Sequence, residues 1–447
     1  MQQRISSVLS TLWPKILVTL AILAIYRAGS FIPVPYIDVS RLFEISDYTS
    51  KGVFGMFNML SGGSLSRMSI FAIGVVPYIT ASIVVQLIFS SFESLKKIKQ
   101  EGEDGQIRIH QYTRYLCFFV AMFQGFSIAT GLSAKGIILD SSSIFLSKLW
   151  IALTFTTGTF LLVWLGKQIT LRGIGNGVSL IIFVGIISEF PTVFVSAFEL
   201  LRTGSISAFG MLLFIGIFFG SIYVVVLFEK SYKIIKVTHP SQGASFANVG
   251  RGAGAMMRRD ISELPLKVNP SGVVPAIFAS SILLLPTTIL SFIGNANNSA
   301  IISFLASNLA HGRPLFVLFY FVLILFFTFF YSEIVSNPKE ISDRFMKANY
   351  FINGVRPGLQ TQNFLKSTIS RLCLIGGSYL AVVCIAPEVA SSSSAMQGYM
   401  IGGTSVLIIV GVVNDLVEQI YMYSLSGKYS KVLSKKKSKN GKSKLGS

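Results

Sequence analysis

The residues of this sequence that could do chemistry are few and poorly placed for it. His110, His239 and His311 are distant from one another and fall in segments predicted as loops, so no pair has metal-binding spacing. Cys117, Cys373 and Cys384 lie within or beside apolar runs, with neither metal spacing nor an even count, and read as small core residues. Gly441-Lys442-Ser443 looks like the end of a phosphate-binding loop, but Lys436 stands where the first glycine is required and no strand precedes it. Arg27, Asp415 and Glu418 are the main ionisable residues in apolar runs; they read as end-of-helix groups satisfied by partners rather than as ion-coupling sites. An intramembrane enzyme would need a nucleophile and base, or metal ligands, and none is visible. No catalyst, metal or cofactor is therefore expected, and the drive for any movement must come from a partner.

The elements that surround these residues are apolar. Mean hydropathy is +0.65, with 52% apolar and 13% charged residues over 447 positions, whereas soluble domains carry roughly 25% charge. The bilayer is the solvent such a chain requires, and a crossing helix needs about 20 mostly apolar residues. Suitable runs occur near 16–34, 68–89, 115–133, 149–166, 177–197, 208–228, 272–293, 315–335, 369–386 and 402–423. The fold class expected is all-α, with ten transmembrane helices. The first run has no small-residue cleavage site, and Arg27 interrupts it, so it does not read as a removable signal peptide. Residues 52–67 are too rich in Gly and Ser to span and read as a short helix or re-entrant piece leading into the second span.

The net charge of +19 could suggest nucleic acid, but it lies in loops and a tail. Positive residues near span ends are held on the cytoplasmic side. With the N-terminus inside, the inside segments carry 30 of the 38 Lys and Arg, chiefly between Lys230 and Lys267, between Lys339 and Arg371, and in the tail from Lys428. Outside loops and span interiors keep eight, among them Arg41, Lys51, Lys135, Lys148, Arg202 and Arg313. An even number of spans then puts both termini in the cytoplasm.

The chain also repeats itself. Gly74-Val75-Val76-Pro77-Tyr78-Ile79-Thr80-Ala81-Ser82 recurs as Gly272-Val273-Val274-Pro275-Ala276-Ile277-Phe278-Ala279-Ser280, matching at seven of nine positions. The copies fall in the second and seventh spans, five apart, so they cross in opposite directions. Two inverted five-helix halves imply a clamshell with a central pathway on a pseudo-two-fold axis. The halves are 1–200 and 201–426, followed by a basic tail at 427–447. A proline early in each repeat favours a kink, and nearby Ala and Ser permit close approach, which suggests a seam that can open. An inverted-repeat solute transporter shares this architecture, but would be expected to keep polar or charged groups mid-span.

Several segments together resemble the SecY family over nearly the whole chain: Phe57 to Arg67 with Ile70 to Gly74, Arg172 to Gly177, Leu264 to Asn269, Gly354 to Gly358, and Gly402 to Ser405. The resemblance implies a protein-conducting channel of the Sec translocase, closed by an aliphatic ring at Val75, Ile79, Ile182, Ile186, Ile277 and Ile408. It implies a plug at about 58–69, comprising Asn58, Ser61, Gly62, Gly63, Ser64, Leu65, Ser66 and Arg67. It also implies a lateral gate with Pro77, Ser82 and Gln86 facing Pro275 and Ser280. The partners implied are the small subunits SecE and SecG, the SecA motor, the ribosome, signal sequences, nascent polypeptides and lipids. Arg356, Arg258 and Arg259 are the docking candidates. The location implied is the bacterial cytoplasmic membrane, with a thylakoid membrane as the other setting. The Gly-rich, neutral stretch Thr238 to Gly250 departs from the compact basic loop of the family.

Overall fold

The computed structural model describes residues 2–38, 58–59, 61–134, 136–138, 144–204, 207–239, 260–293, 313–392 and 402–443. The helices are α1 (Gln2–Gly29), α2 (Val76–Ser91), α3 (Glu93–Gln100), α4 (Glu103–Ala134), α5 (Ile144–Arg172), α6 (Gly177–Arg202), α7 (Ala208–Glu229), α8 (Val274–Ile293), α9 (Pro314–Val335), α10 (Pro338–Lys347), α11 (Leu359–Ser392) and α12 (Gly403–Ser443). Among the described residues, eight are long and apolar enough to cross a bilayer, and the second and seventh spans, α2 and α8, are shorter apolar helices. Large apolar side chains such as Phe119, Phe198, Phe209, Leu212 and Leu318 face outward, as lipid solvent allows.

Helix packing repeats with a shift of five spans. In the first half α2 packs on α4, α4 on α5 and α5 on α6, while α1 lies against α5 and α6. In the second, α8 packs on α9, α9 on α11 and α11 on α12, while α7 lies against α11 and α12. The halves meet where α8 touches α2 and α4, and where α12 touches α6 and α1.

The repeated segment starts a helix in each half rather than kinking one. Gly74 and Gly272 sit at φ 64° and 61°, in the left-handed region, and the chain turns there into α2 and α8. Pro77 and Pro275 fall in the first turn, where a missing N–H costs nothing and the fixed φ suits a helix start. The second span, read from hydropathy as 68–89, therefore becomes helical only at Val76. Its 16 residues reach about 24 Å, short of the ~30 Å hydrocarbon core. The non-helical residues 61–75 supply the remainder. Most of them are buried, and their backbone is paired: Ile70 N–H donates to Ile32 O at 3.0 Å, and Val34 N–H to Met68 O at 3.0 Å.

Three further expectations change. The chain is not wholly helical: β1 (Tyr232–His239), β2 (Asp260–Lys267) and β3 (Phe351–Ile352) form an antiparallel sheet in the order β2-β1-β3. Alternation in Ile235-Lys236-Val237, with both apolar residues buried and the lysine exposed, is the two-residue period of a half-covered strand. His110 lies in α4 and His239 in β1, because regular structure continues beyond the apolar runs that hydropathy detects; His311 is outside the described residues. The tail beyond 426 continues α12 to Ser443 without a break.

A Cβ on Gly272 would meet nothing within 4 Å, so its constraint is conformational alone, and an L side chain there costs about 1–2 kcal/mol. Gly272→Val should lower the thermal unfolding midpoint of the purified protein, and Gly272→Asn, which tolerates left-handed backbone, should lower it less. Equal midpoints for both variants and the parent would contradict this.

Candidate functional site

The six aliphatic residues singled out from the sequence come together. Val75, Ile182, Ile186 and Ile408 are buried in one cluster, and Ile79 and Ile277 pack against it. They arrive from α2 and the residue before it, from α6, α8 and α12, so both halves contribute. Met59, which the sequence reading passed over, belongs to the same cluster, and the Ser405 hydroxyl at the start of α12 donates to its sulfur at 3.5 Å. Its sequence signal was weak, because Met56, Phe57, Leu60 and Leu65 around it are large and apolar too.

The segment from Asn58 to Arg67 folds on itself. Asn58 O accepts from the Gly63 N–H at 2.8 Å and from the Ser61 hydroxyl at 3.1 Å, and Asn58 Oδ1 accepts from the Ser66 N–H at 2.8 Å. The Ser66 hydroxyl donates to Gly63 O at 2.9 Å. Ser61, Gly62, Gly63, Ser64 and Leu65 are buried. Gly62 lies so close to α6 that a Cβ would stand 2.8 Å from Gly185 Cα. From α1 the Tyr26 hydroxyl donates to Ser61 O at 3.3 Å and Arg27 Nη1 to Gly62 O at 2.8 Å. Arg27 thus has the partner expected of it. Glu189, a charge in the fifth apolar run that the sequence reading overlooked, stands against Gly63.

At the contact of α2 with α8, Pro77, Pro275 and Ser280 are buried, Ser82 is half-buried and Gln86 exposed. The polar side chains bond within their own helices: Gln86 Nε2 donates to Ser82 Oγ at 3.2 Å, and the Ser280 hydroxyl donates to Ile277 O at 2.9 Å. The contact itself is apolar, joining Ile83 and Ile79 to Ala276, Phe278 and Ala279.

At the basic end, β2 runs into α8 through a polar knot. Buried Asn269 donates from Nδ2 to Gly272 O at 2.8 Å and to the Tyr379 hydroxyl at 3.2 Å, while Ser271 donates to its Oδ1 at 2.9 Å. Just before it, Lys267 pairs with Glu418 of α12 at 3.4 Å. Burial pulls the Lys267 ammonium down, but Glu418, Tyr232 and Glu229 outweigh it, so its pKa is raised above 10.5. Leu264 to Lys267, part of a segment that carries the family resemblance, is the end of a strand. Arg356 is exposed, and its carbonyl accepts from Thr361 at the start of α11. Arg258 and Arg259 lie outside the described residues. Among the described residues, no cluster of three metal-ligating side chains occurs.

Two packed five-span halves joined through one shared aliphatic cluster define a polytopic membrane protein. The SecY family model matches residues 69–417. The protein translocase subunit SecY of Rickettsia typhi is 42% identical over 432 residues, covering 95% of this chain and 96% of its own. A solved structure described as a protein-conducting channel superposes with a TM-score of 0.63 at 17% identity, over 93% of both chains. Sec61 in the canine ribosome–channel complex from the endoplasmic reticulum gives 0.59 at 16%, again over 93% of each. The chain belongs to the SecY family. It is a protein-conducting channel subunit rather than an enzyme or a solute transporter.

A cation whose pKa rises on folding contributes stability fully below its unfolded value and loses it as pH climbs through the folded one. Hydrogen exchange at Val268 to Gly272, corrected for intrinsic rates, should therefore hold steady from about pH 6 to 9 and quicken only above 10.5. Glu418→Gln should quicken it already at neutral pH.

Proposed function

We propose that Val75, Ile79, Ile182, Ile186, Ile277 and Ile408 form the constriction through which this channel passes unfolded secretory polypeptides, and that Asn58 to Ser69 is its plug. The observation that carries this reading is that six residues from both halves share one apolar cluster with Met59 of the plug segment. A waist lined by Ile and Val holds no ordered water chain and offers nothing for a passing polypeptide to adhere to. A segment with glycines at 62 and 63 has little helical stability of its own and is displaced at small cost.

The contact between α2 and α8 is then the lateral gate through which signal sequences and membrane segments enter lipid. Its small residues and purely apolar packing support that role, since parting it breaks no hydrogen bond of Ser82 or Ser280. The basic loops support an orientation with both termini in the cytoplasm of a bacterium, and the family supports SecE, SecG and SecA as partners. A ribosome accompanies the canine Sec61 channel, and exposed Arg356 beside the sheet is the side chain we assign to docking of a ribosome or motor.

The test places cysteines at Ile79 or Ile277 and in a stalled secretory substrate. Crosslinking at these positions during translocation, and not at lipid-facing controls such as Phe209, is the expected result. No preference over those controls would remove the assignment. Replacing Ile79 and Ile277 with Gly should also raise ion leak through the resting channel.

A further inference from the structure

The segment assigned above to the plug carries one cation of its own, Arg67, and its seating brings that cation to an aromatic ring that already holds another. Arg67 Cζ lies 4.5 Å from the centroid of the Phe31 ring, and Arg27 Cζ lies 5.1 Å from the same centroid. Both are inside the distance at which a guanidinium is attracted to a ring's negative face. Arg27 uses Nη1 to hold Gly62 O at 2.8 Å. One helix end therefore grips the segment twice, through a carbonyl and through a shared ring.

The backbone that carries the ring is tied to the backbone that carries Arg67. Phe31 directly precedes Ile32, and Arg67 directly precedes Met68; the stretches that follow pair with each other through Ile70 N–H to Ile32 O and Val34 N–H to Met68 O. Pro33 stands opposite Ser69 in this antiparallel bridge, so Phe31 and Arg67 flank it from opposite ends, and it is the length of the arginine side chain that carries its guanidinium back to the ring. The grip is incomplete. Arg67 Nη1 is buried without a hydrogen-bond partner, and a buried unpaired donor penalises the seated state relative to one in which water reaches it. Glu189 on α6 stands against the same Gly63 that the other guanidinium nitrogen, Arg67 Nη2, approaches, and its Oε2 accepts from the Thr192 hydroxyl at 3.0 Å.

We propose that Phe31, with Arg27 and Arg67 against its ring, is the latch that holds the plug seated, and that the unpaired N–H of Arg67 keeps this latch releasable. The inference rests on the plug reading, and it assigns positioning roles to three residues outside the aliphatic ring. Phe31 is the informative one, because it touches the segment only through its side chain, and leucine there keeps the bulk while removing the ring.

The experiment reads amide hydrogen exchange of residues 61–70 in the full-length channel within its translocase, reconstituted in vesicles. Arg67→Gln should speed that exchange about fivefold, the effect of losing one ordinary cation–π contact, and Phe31→Leu, which removes both, should speed it more. The double variant should be no faster than Phe31→Leu, and Phe31→Trp should match or fall below the parent rate, while β1 and β2 exchange stays constant in all four. Parent-like exchange in Phe31→Leu, or effects that add fully in the double variant, would overturn the latch. Ion leak in Ile79→Gly reports on the constriction alone. An unchanged leak there beside quickened exchange in Phe31→Leu would sink the seal and leave the latch standing.

Discussion

A peptide group facing lipid without a partner costs several kcal/mol, so backbone that is not helical can lie at membrane depth only under a cover of protein. Residues 61–75 are such backbone, and the rest of the structure is arranged around them. α1 supplies Tyr26 and Arg27 to two of the carbonyls. α5 supplies the Thr159 hydroxyl to Gly74 O at 3.1 Å. α6 presents Gly185, the only residue type that lets Gly62 approach so closely. The shortness of α2, the small residues facing it and the buried serines all follow from making room for a chain that turns inside the bilayer.

The same constraint explains why the two copies of Gly-Val-Val-Pro are alike. Each must bring a non-helical approach to an abrupt helix start, which needs a residue free to take positive φ and then a proline in the first turn. What differs is the approach. In the first half it is the re-entrant segment, anchored to α1, α5 and α6; in the second it is strand β2 and the Asn269 knot, anchored to α11 and, through Lys267, to α12. The two helices that meet at the seam are thus held from opposite ends by different means, while their mutual contact is side-chain packing of Ile against Ala and Phe.

Much of this was legible beforehand because it depends on composition over long windows or on identity between two windows. Eight crossings, the five-span shift and the convergence of Ile79 with Ile277 are of that kind. The start of α2 was not, since Ile70 to Val75 are as apolar as a helix interior and only the φ of Gly74 separates them from one. The sheet escaped because a loop bounded by apolar runs reads as a connection, although Lys233-Ile234-Ile235-Lys236-Val237 carried part of a strand's alternation. Phe31, Glu189 and Met59 were missed because each is ordinary in isolation; their meaning lies in which carbonyl, glycine or cation stands opposite.

The sheet has one more consequence. β1 is paired along its length with β2, from Tyr232 opposite Lys267 to His239 opposite Asp260, and through Val237 and Thr238 with β3 from the other basic loop. That register is complete without any contribution from the residues that join β1 to β2. Their sequence can change without altering where Lys267 or Asn269 falls. The part of this loop that sets the start of α8 is thus held by strand pairing, and not by the residues that join the strands.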